Sequence, residues 1–203
     1  MFVKICGIRD PAALEAAVEG GAAAVGFVLT DSPRQVTADR AAQAMAMTPA
    51  DVLTVAVLGR ASVAHAAHLT EVCGARAVQL HGDHSRADFA AMRRPGLTLI
   101  RGTSAERATT LEAGAYGEDV LLLDAPRAGS GARWHLAVLR GRRPAGRWLL
   151  AGGLDANNVV DAIAAARPWG VDVSSGVESA RGVKDPAQIR RFLEAVARAP
   201  SPA

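Results

Sequence analysis

The sequence predicts an α/β fold in which eight parallel strands close into one barrel. Short apolar, β-branched runs recur about eight times, and each is separated from the next by an alanine-rich amphipathic stretch or a loop. Continuous apolar strands divided by helices favour parallel pairing with both sheet faces covered. About eight such units in 203 residues favour a closed (β/α)8 TIM barrel over an open sheet. We expect one domain over residues 1–200 and a disordered tail at 201–203.

The elements follow one another from the first residues onward. Asp10 and Pro11 predict the start of the first helix, as N-cap and first helical residue. Cys73, before Gly74, is expected at the end of a helix, and the sixth helix, around His135–Leu139, is expected to be short. The predicted strands are Val3–Ile8, Ala23–Leu29, Leu53–Leu58, Ala77–Leu80, Leu97–Ile100, Val120–Leu123, Trp148–Ala151 and Val171–Val173.

Composition excludes several classes of protein. Hydrophobic residues make up 50% and charged residues 21%, which indicates a globular protein with a sizeable core. The chain shows neither a leader peptide nor an apolar run of membrane-spanning length, so we expect a cytoplasmic protein without membrane partners. Cys6 and Cys73 lie far apart in the sequence, which gives little support for a disulfide or a metal cluster.

The net charge of +3 favours a small anionic substrate more than nucleic acid. Arginines are scattered, with almost no interleaved aromatic residues. The densest cluster flanks a Gly/Pro-rich connection and is interpreted as a solvated turn. It consists of Arg140, Arg142, Arg143 and Arg147.

Polar side chains gather where the predicted strands end. In a barrel, the C-terminal ends of the strands form the mouth that carries the site. Strand periodicity places the members of four pairs on shared strand faces. Each residue alone could be a structural polar group, and their common position is what indicates a pocket. The four pairs are Lys4 with Cys6, Gln79 with His81, Leu122 with Asp124, and Asp172 with Ser174.

Closure of the barrel makes the first and eighth strands neighbours, which would bring Lys4 close to Asp172. A lone buried ammonium or carboxylate is costly, so we predict that the two form an ion pair inside the barrel.

Two loops suggest a phosphate site. Gly152-Gly153 follows the seventh strand and Ser174-Ser175-Gly176 follows the eighth, where barrels commonly bind phosphate through backbone N–H groups. Ordinary turns are the alternative. No G-x-G-x-x-G or P-loop lysine motif is present, which disfavours dinucleotides and nucleoside triphosphates. Arg34, in the loop after the second strand, offers a planar fork suited to a carboxylate, with a solvated loop arginine as the alternative.

Seven segments occur in order from the first strand to the last helix. They are Lys4-Ile5-Cys6-Gly7-Ile8, Ser32-Pro33-Arg34-x-Val36, Val78-Gln79-Leu80-His81-Gly82, Leu122-Leu123-Asp124, Ala151-Gly152-Gly153-Leu154, Asp172-Val173-Ser174-Ser175-Gly176-Val177-Glu178 and Gly182-x-Lys184-Asp185. Together they resemble the phosphoribosylanthranilate isomerase family of tryptophan biosynthesis. The resemblance implies a cofactor-free, metal-free Amadori rearrangement of N-(5′-phosphoribosyl)anthranilate.

The resemblance also implies roles for matching residues. Asp124 would be the general acid and Cys6 the general base, with Lys4 as a source of bias toward the thiolate. Arg34 would hold the anthranilate carboxylate. A monomer or homodimer is expected. The phosphate would contact Gly152, Gly153, Ser174, Ser175 and Gly176, while Gln79, His81 and Asp172 would contact the sugar or support the catalytic pair.

Three segments depart from the family pattern, namely Val57–Arg60, Arg101–Thr103 and the sixth loop, Ala128–His135. They put substrate affinity and loop motion in question more than the reaction type. Two alternatives stay open. One is a dual-specificity isomerase that also serves histidine biosynthesis, although such enzymes typically use two aspartates where this chain has Cys6 and Asp124. The other is a non-catalytic barrel that binds phosphoribosyl compounds.

Overall fold

The computed structural model describes residues 1–124 and 143–199, and within them eight parallel strands close a barrel in chain order. Each strand pairs with the next, and the eighth pairs with the first, which confirms the predicted architecture. The strands are β1 Phe2–Cys6, β2 Ala24–Val28, β3 Leu53–Gly59, β4 Ala77–His81, β5 Thr98–Ser104, β6 Val120–Asp124, β7 Trp148–Leu150 and β8 Gly170–Val173.

Helices surround the barrel, and a small hairpin follows β8. A single 3₁₀ turn, Ser175–Val177, joins β8 to the hairpin. The helices within the described ranges are α1 Pro11–Glu19, α2 Ala38–Met47, α3 Val63–Val72, α4 Arg86–Met92, α5 Val159–Ala166 and α6 Pro186–Ala197; the hairpin strands are β9 Glu178–Ala180 and β10 Val183–Lys184.

Alternation along the strands divides the buried apolar residues into two clusters. The larger cluster, which includes Val3 and Ile5 of β1, lies between the strands and the helices. The smaller cluster, which includes Cys6, Val55 and Leu122, fills the inside of the barrel. Lys4 and Cys6 therefore share the inward side of β1, as the two-residue period of a strand requires.

Helix starts follow the local sequence signals. The Asp10 side chain accepts a hydrogen bond from the Ala13 N–H, and Pro11 is the first residue of α1, as predicted. Cys73 caps the C-terminus of α3 and is buried, in agreement with a packing role.

The fifth unit has no helix in the structure. Residues 105–119 connect β5 to β6 through turns, and Gly114 and Gly117 have φ values of +92° and +86°. The buried Arg101 side chain donates from Nε to Glu118 Oε1 over 2.6 Å, and its guanidinium lies 4.5 Å from the Tyr116 ring centre. These contacts cover the outer side of β5. Of the two kinds of connection that the sequence predicts between strands, an amphipathic stretch or a loop, this unit has the loop.

Several sequence predictions lie outside the described residues. They are the sixth loop at Ala128–His135, the short helix at His135–Leu139, Arg140, Arg142 and the tail at 201–203. The extent of the domain stays a prediction. In the described parts of the chain, no helix combines the length and the apolar composition needed to cross a bilayer.

Candidate active site

A cavity of about 960 Å³ opens at the C-terminal ends of the strands. Its volume suits a small-molecule ligand. It collects residues from loops and strands that are distant in sequence, and seven of the eleven predicted site residues line it. Those seven are Cys6, Arg34, Gln79, His81, Asp124, Asp172 and Ser174, whereas Gly152, Gly153, Ser175 and Gly176 do not line it.

The predicted ion pair between Lys4 and Asp172 is confirmed. The two residues are register partners in the β1–β8 pairing, and Lys4 Nζ donates to Asp172 Oδ1 over 2.7 Å. Lys4 is completely buried. Burial works to lower the pKa of Lys4, but Asp172 and Cys6 together raise this pKa to about 12. The ammonium therefore stays charged inside the barrel.

Cys6 experiences opposing influences on its ionisation. Burial raises the pKa of the thiol, the Lys4 charge lowers it, and the Asp172 charge raises it again. The net result is a pKa above the usual value of 9.0. Lys4 thus acts in the predicted direction, toward the thiolate, but burial outweighs it because a thiolate loses its hydration when it is enclosed.

Gly26 of β2 leaves space for the side chains of Cys6 and Lys4. The sequence did not lead us to predict this role. A Cβ at position 26 would lie 3.1 Å from Cys6 Sγ and 3.2 Å from Lys4 Cε. The available signal was a glycine in the interior of an apolar strand, which often marks a close approach.

Gln79 and His81 project from β4 into the cavity. Burial lowers the pKa of His81, and the Lys4 charge lowers it further, so the imidazole is neutral near pH 7. Gln79 is 3% exposed, and its Oε1 atom accepts no hydrogen bond from the described residues. A buried acceptor that faces a cavity in this way is available to a ligand hydroxyl or N–H group.

In the segment Arg101–Thr103, which departs from the family pattern, Arg101 and Gly102 lie on opposite sides of β5. Arg101 packs outside the barrel against Glu118, so it leaves the cavity unchanged. Gly102 lines the cavity, and a Cβ there would lie 2.5 Å from His81 Nδ1. Gly102 therefore allows the His81 ring to lie against β5.

We expect Gly102→Ala to displace the His81 ring and to lower kcat/KM by about 10- to 100-fold, since small misplacements of site groups are costly. The matched control is Gly59→Ala, because a Cβ at that nearby cavity residue comes no closer than 3.7 Å to any neighbour within the described part of the chain. Steady-state kinetics of both variants provide the measurement. Equal kinetics for the two variants would contradict the packing role of Gly102.

Arg34 is held by a residue for which the sequence analysis proposed no role. Its Nε and Nη2 atoms donate to Glu178 Oε1 and Oε2 over 2.6 and 3.0 Å. Burial works to raise the pKa of Glu178, but hydrogen bonds from Arg34 and Lys184 lower it to about 2. Gly7, with φ +81°, leaves space for the arginine, because a Cβ there would lie 2.8 Å from Arg34 Cδ. The motif around Glu178 was the only available signal.

The two glycine-containing loops predicted to bind phosphate lie against each other. Gly152 and Gly153 both have left-handed backbone conformations, with φ values of +90° and +64°. Gly176 packs so tightly against the carbonyl oxygen of Leu154 that no side chain fits there. Ser174 links this region to the cavity, since its hydroxyl donates to the Cys6 carbonyl oxygen over 3.1 Å.

Comparison with known proteins identifies the family. A family model described as N-(5′-phosphoribosyl)anthranilate (PRA) isomerase matches residues 3–195. The chain belongs to this family. An N-(5′-phosphoribosyl)anthranilate isomerase from Thiobacillus denitrificans is 40% identical over 196 residues, which cover 94% of this chain and 95% of the relative.

Solved structures of the isomerase family have the same fold. TrpF from Jonesia denitrificans superposes with a TM-score of 0.89 at 48% identity, and 97% of each chain is covered. A phosphoribosyl anthranilate isomerase in complex with reduced 1-(o-carboxyphenylamino)-1-deoxyribulose 5-phosphate superposes with a TM-score of 0.83 at 29% identity. This second match covers 97% of this chain and 98% of the other.

Proposed function

We propose that this chain catalyses the cofactor-free isomerisation of N-(5′-phosphoribosyl)anthranilate to 1-(2-carboxyphenylamino)-1-deoxyribulose 5-phosphate. The observation that carries the proposal is the convergence of Cys6, Asp124, Arg34 and Ser174 on one cavity, in a chain that belongs to this family. Cys6 is the base and Asp124 is the acid. Arg34 can bind a carboxylate, and Ser174 belongs to the loop suited to phosphate.

The proposed reaction divides the proton transfers between two residues. Asp124 gives a proton to the furanose ring oxygen, the C1–O bond breaks, and the sugar opens to an iminium ion. The Cys6 thiolate then removes the proton from C2, and the resulting enolamine tautomerises to the ketone. Cys6 gains one proton and Asp124 loses one, so transfer of a single proton between them, directly or through solvent, restores both. Both roles are general acid–base catalysis.

In this proposal, the remaining predicted residues bind the substrate or support the catalytic pair. Arg34 takes the anthranilate carboxylate. The Oε1 atom of Gln79, which has no partner among residues 1–124 and 143–199, accepts from a sugar hydroxyl. Neutral His81 can donate and accept at its two ring nitrogens. Asp172 holds Lys4 beside Cys6. The phosphate is assigned to the backbone of Ser174, which lines the cavity, and of Gly152, Gly153, Ser175 and Gly176 in the two loops that adjoin it.

An assay with two substrates tests the function. We expect the purified chain to convert freshly prepared N-(5′-phosphoribosyl)anthranilate, followed as loss of anthranilate fluorescence, and to leave the aminoaldose of histidine biosynthesis unchanged. A Cys6→Ala/Asp124→Ala double variant, purified identically, measures the background from the host. Turnover of both substrates would establish dual specificity. Tight binding without turnover would establish a non-catalytic barrel.

The assembly state and location belong to the same proposal. We propose a cytoplasmic monomer or homodimer, because tryptophan biosynthesis uses small diffusible substrates and the cavity lies within one chain. Sedimentation equilibrium measures the mass in solution.

A further inference from the structure

Glu178 lies at the centre of a buried network at the edge of the barrel mouth. Its side chain is 4% exposed and accepts hydrogen bonds from three of the described residues. Arg34 supplies two of these bonds, Lys184 Nζ donates to Oε1 over 2.6 Å, and the Gly182 N–H donates to Oε2 over 3.0 Å. One carboxylate thus holds two cationic side chains, one from the loop after β2 and one from β10.

The same network reaches Ser174 and Cys6. Lys184 Nζ also donates to the Ser174 carbonyl oxygen over 2.8 Å and to its hydroxyl over 3.2 Å. The Ser174 hydroxyl donates in turn to the Cys6 carbonyl oxygen. The chain of contacts therefore connects the loop of Arg34, the loop after β8 and the end of β1.

Arg34 lines the cavity, and Glu178 uses only part of its guanidinium. Glu178 occupies Nε and one N–H of Nη2, while Nη1 makes no hydrogen bond to residues 1–124 or 143–199. Guanidinium has five N–H donors in a rigid plane, so the edge formed by Nη1 and the second N–H of Nη2 can still bind a second carboxylate through two contacts. Holding the plane in advance removes the ordering cost that a free arginine would incur on binding.

We propose that Glu178 is a positioning residue that orients Arg34 toward the carboxylate of the substrate, and that Lys184 ties this pair to the Ser174 loop. The inference rests on the proposed function, because it assumes that Arg34 binds the anthranilate carboxylate. Glu178 thereby contributes to substrate specificity although it does not line the cavity. Substrate recognition at Arg34 then depends on a contact formed behind it.

A substrate that lacks the carboxylate tests the proposal. We compare N-(5′-phosphoribosyl)anthranilate with the N-(5′-phosphoribosyl) derivative of aniline, and we follow both by chromatography of substrate and product. For Glu178→Gln we expect KM for the anthranilate compound to rise about tenfold, since charge-assisted hydrogen bonds to Arg34 are lost. KM for the aniline compound should change less than about twofold, since no carboxylate is involved.

Two further variants make the result specific. Arg34→Met should remove the same preference for the carboxylate and should not add to the effect of Glu178→Gln in the double variant. Arg9→Met is the matched control, because Arg9 donates to the carbonyl oxygens of Pro33 and Gly182 in the same loops without touching Glu178. Its effect should be equal for both substrates.

The possible outcomes separate the two proposals. Equal increases in KM for both substrates in Glu178→Gln would overturn the positioning role and indicate general loosening of the loops. If Glu178→Gln does not fold, the Glu178→Gln/Lys184→Met double variant, which leaves no lysine beside the amide, carries the same comparison. Absence of turnover by the wild type would reject the proposed function itself.

Discussion

Replacing Cys6 with alanine should lower kcat by about 10²- to 10⁴-fold, the range attributed to a general base. The proposed mechanism has no other group assigned to remove the C2 proton. The substitution removes one buried atom beside Gly26 and leaves the Lys4–Asp172 pair in place. We therefore expect the thermal unfolding of the variant to remain close to that of the wild type, while turnover is nearly lost.

The pH dependence provides an independent readout of the same residue. Because the pKa of the Cys6 thiol lies above its usual value of 9.0, the thiolate is a minor species near pH 7. Raising the pH increases the thiolate fraction, so kcat/KM of the wild type should keep rising up to at least about pH 9. Cys6→Ala should abolish this rise.

Two results would contradict the assignment of Cys6 as the base. The first is a Cys6→Ala variant with wild-type turnover after subtraction of the background. The second is a substrate-derived thioether trapped at Cys6 during turnover, since a general base forms no covalent bond to the substrate. Mass spectrometry of the quenched protein detects such an adduct.

Lys4→Met should destabilise the protein by about 3–5 kcal/mol, as expected when one partner of a buried ion pair is removed. The substitution leaves the Asp172 carboxylate enclosed in the barrel without its hydrogen-bond donor. Urea unfolding monitored by circular dichroism measures the change. A loss below about 1 kcal/mol, the value typical of exposed pairs, would show that the barrel does not need this pair.

Two controls accompany this experiment. Arg190→Met removes an exposed ion pair with Glu19 and should cost less than about 1 kcal/mol. Lys4→Met/Asp172→Leu removes both charges and should recover much of the lost stability, because apolar pairs of similar volume can replace buried ion pairs.

The same ion pair predicts how the wild type responds to alkaline pH. The pKa of Lys4 rises from 10.5 to about 12 in the folded protein, in spite of burial and because of Asp172 and Cys6. A raised pKa stabilises the protonated folded state. This stabilisation is complete below pH 10.5 and is lost as the pH rises through about 12. Lys4→Met should lack this alkaline transition.

Local sequence signals were sufficient to predict most of the architecture. Apolar runs of strand length located all eight strands, and Asp10 with Pro11 located the start of α1. The Lys4–Asp172 pair followed from barrel closure, which makes β1 and β8 neighbours, and from the cost of a lone buried charge. Such features depend on short-range periodicity and on one global rule, so they can be inferred without coordinates.

Other features depended on packing between segments that are far apart in the sequence. Turns at 105–119 stand in the place of a helix, and Arg101, Glu118 and Tyr116 together cover the outer side of β5. The roles of Gly102 and Gly26 depend on side chains that lie close to them only in the folded chain, namely His81 and Cys6. No local pattern reports such distances.

The order of residues along the chain was enough to indicate the barrel, the family and the candidate acid and base at the strand ends. Only the folded structure decided the electrostatic balance around Cys6, where burial outweighs the charge of Lys4. It also decided the partner of Arg34, because Glu178 lies 144 positions away in the sequence. Burial and long-range contacts arise when distant segments are brought together, and they determine how the candidate residues can act.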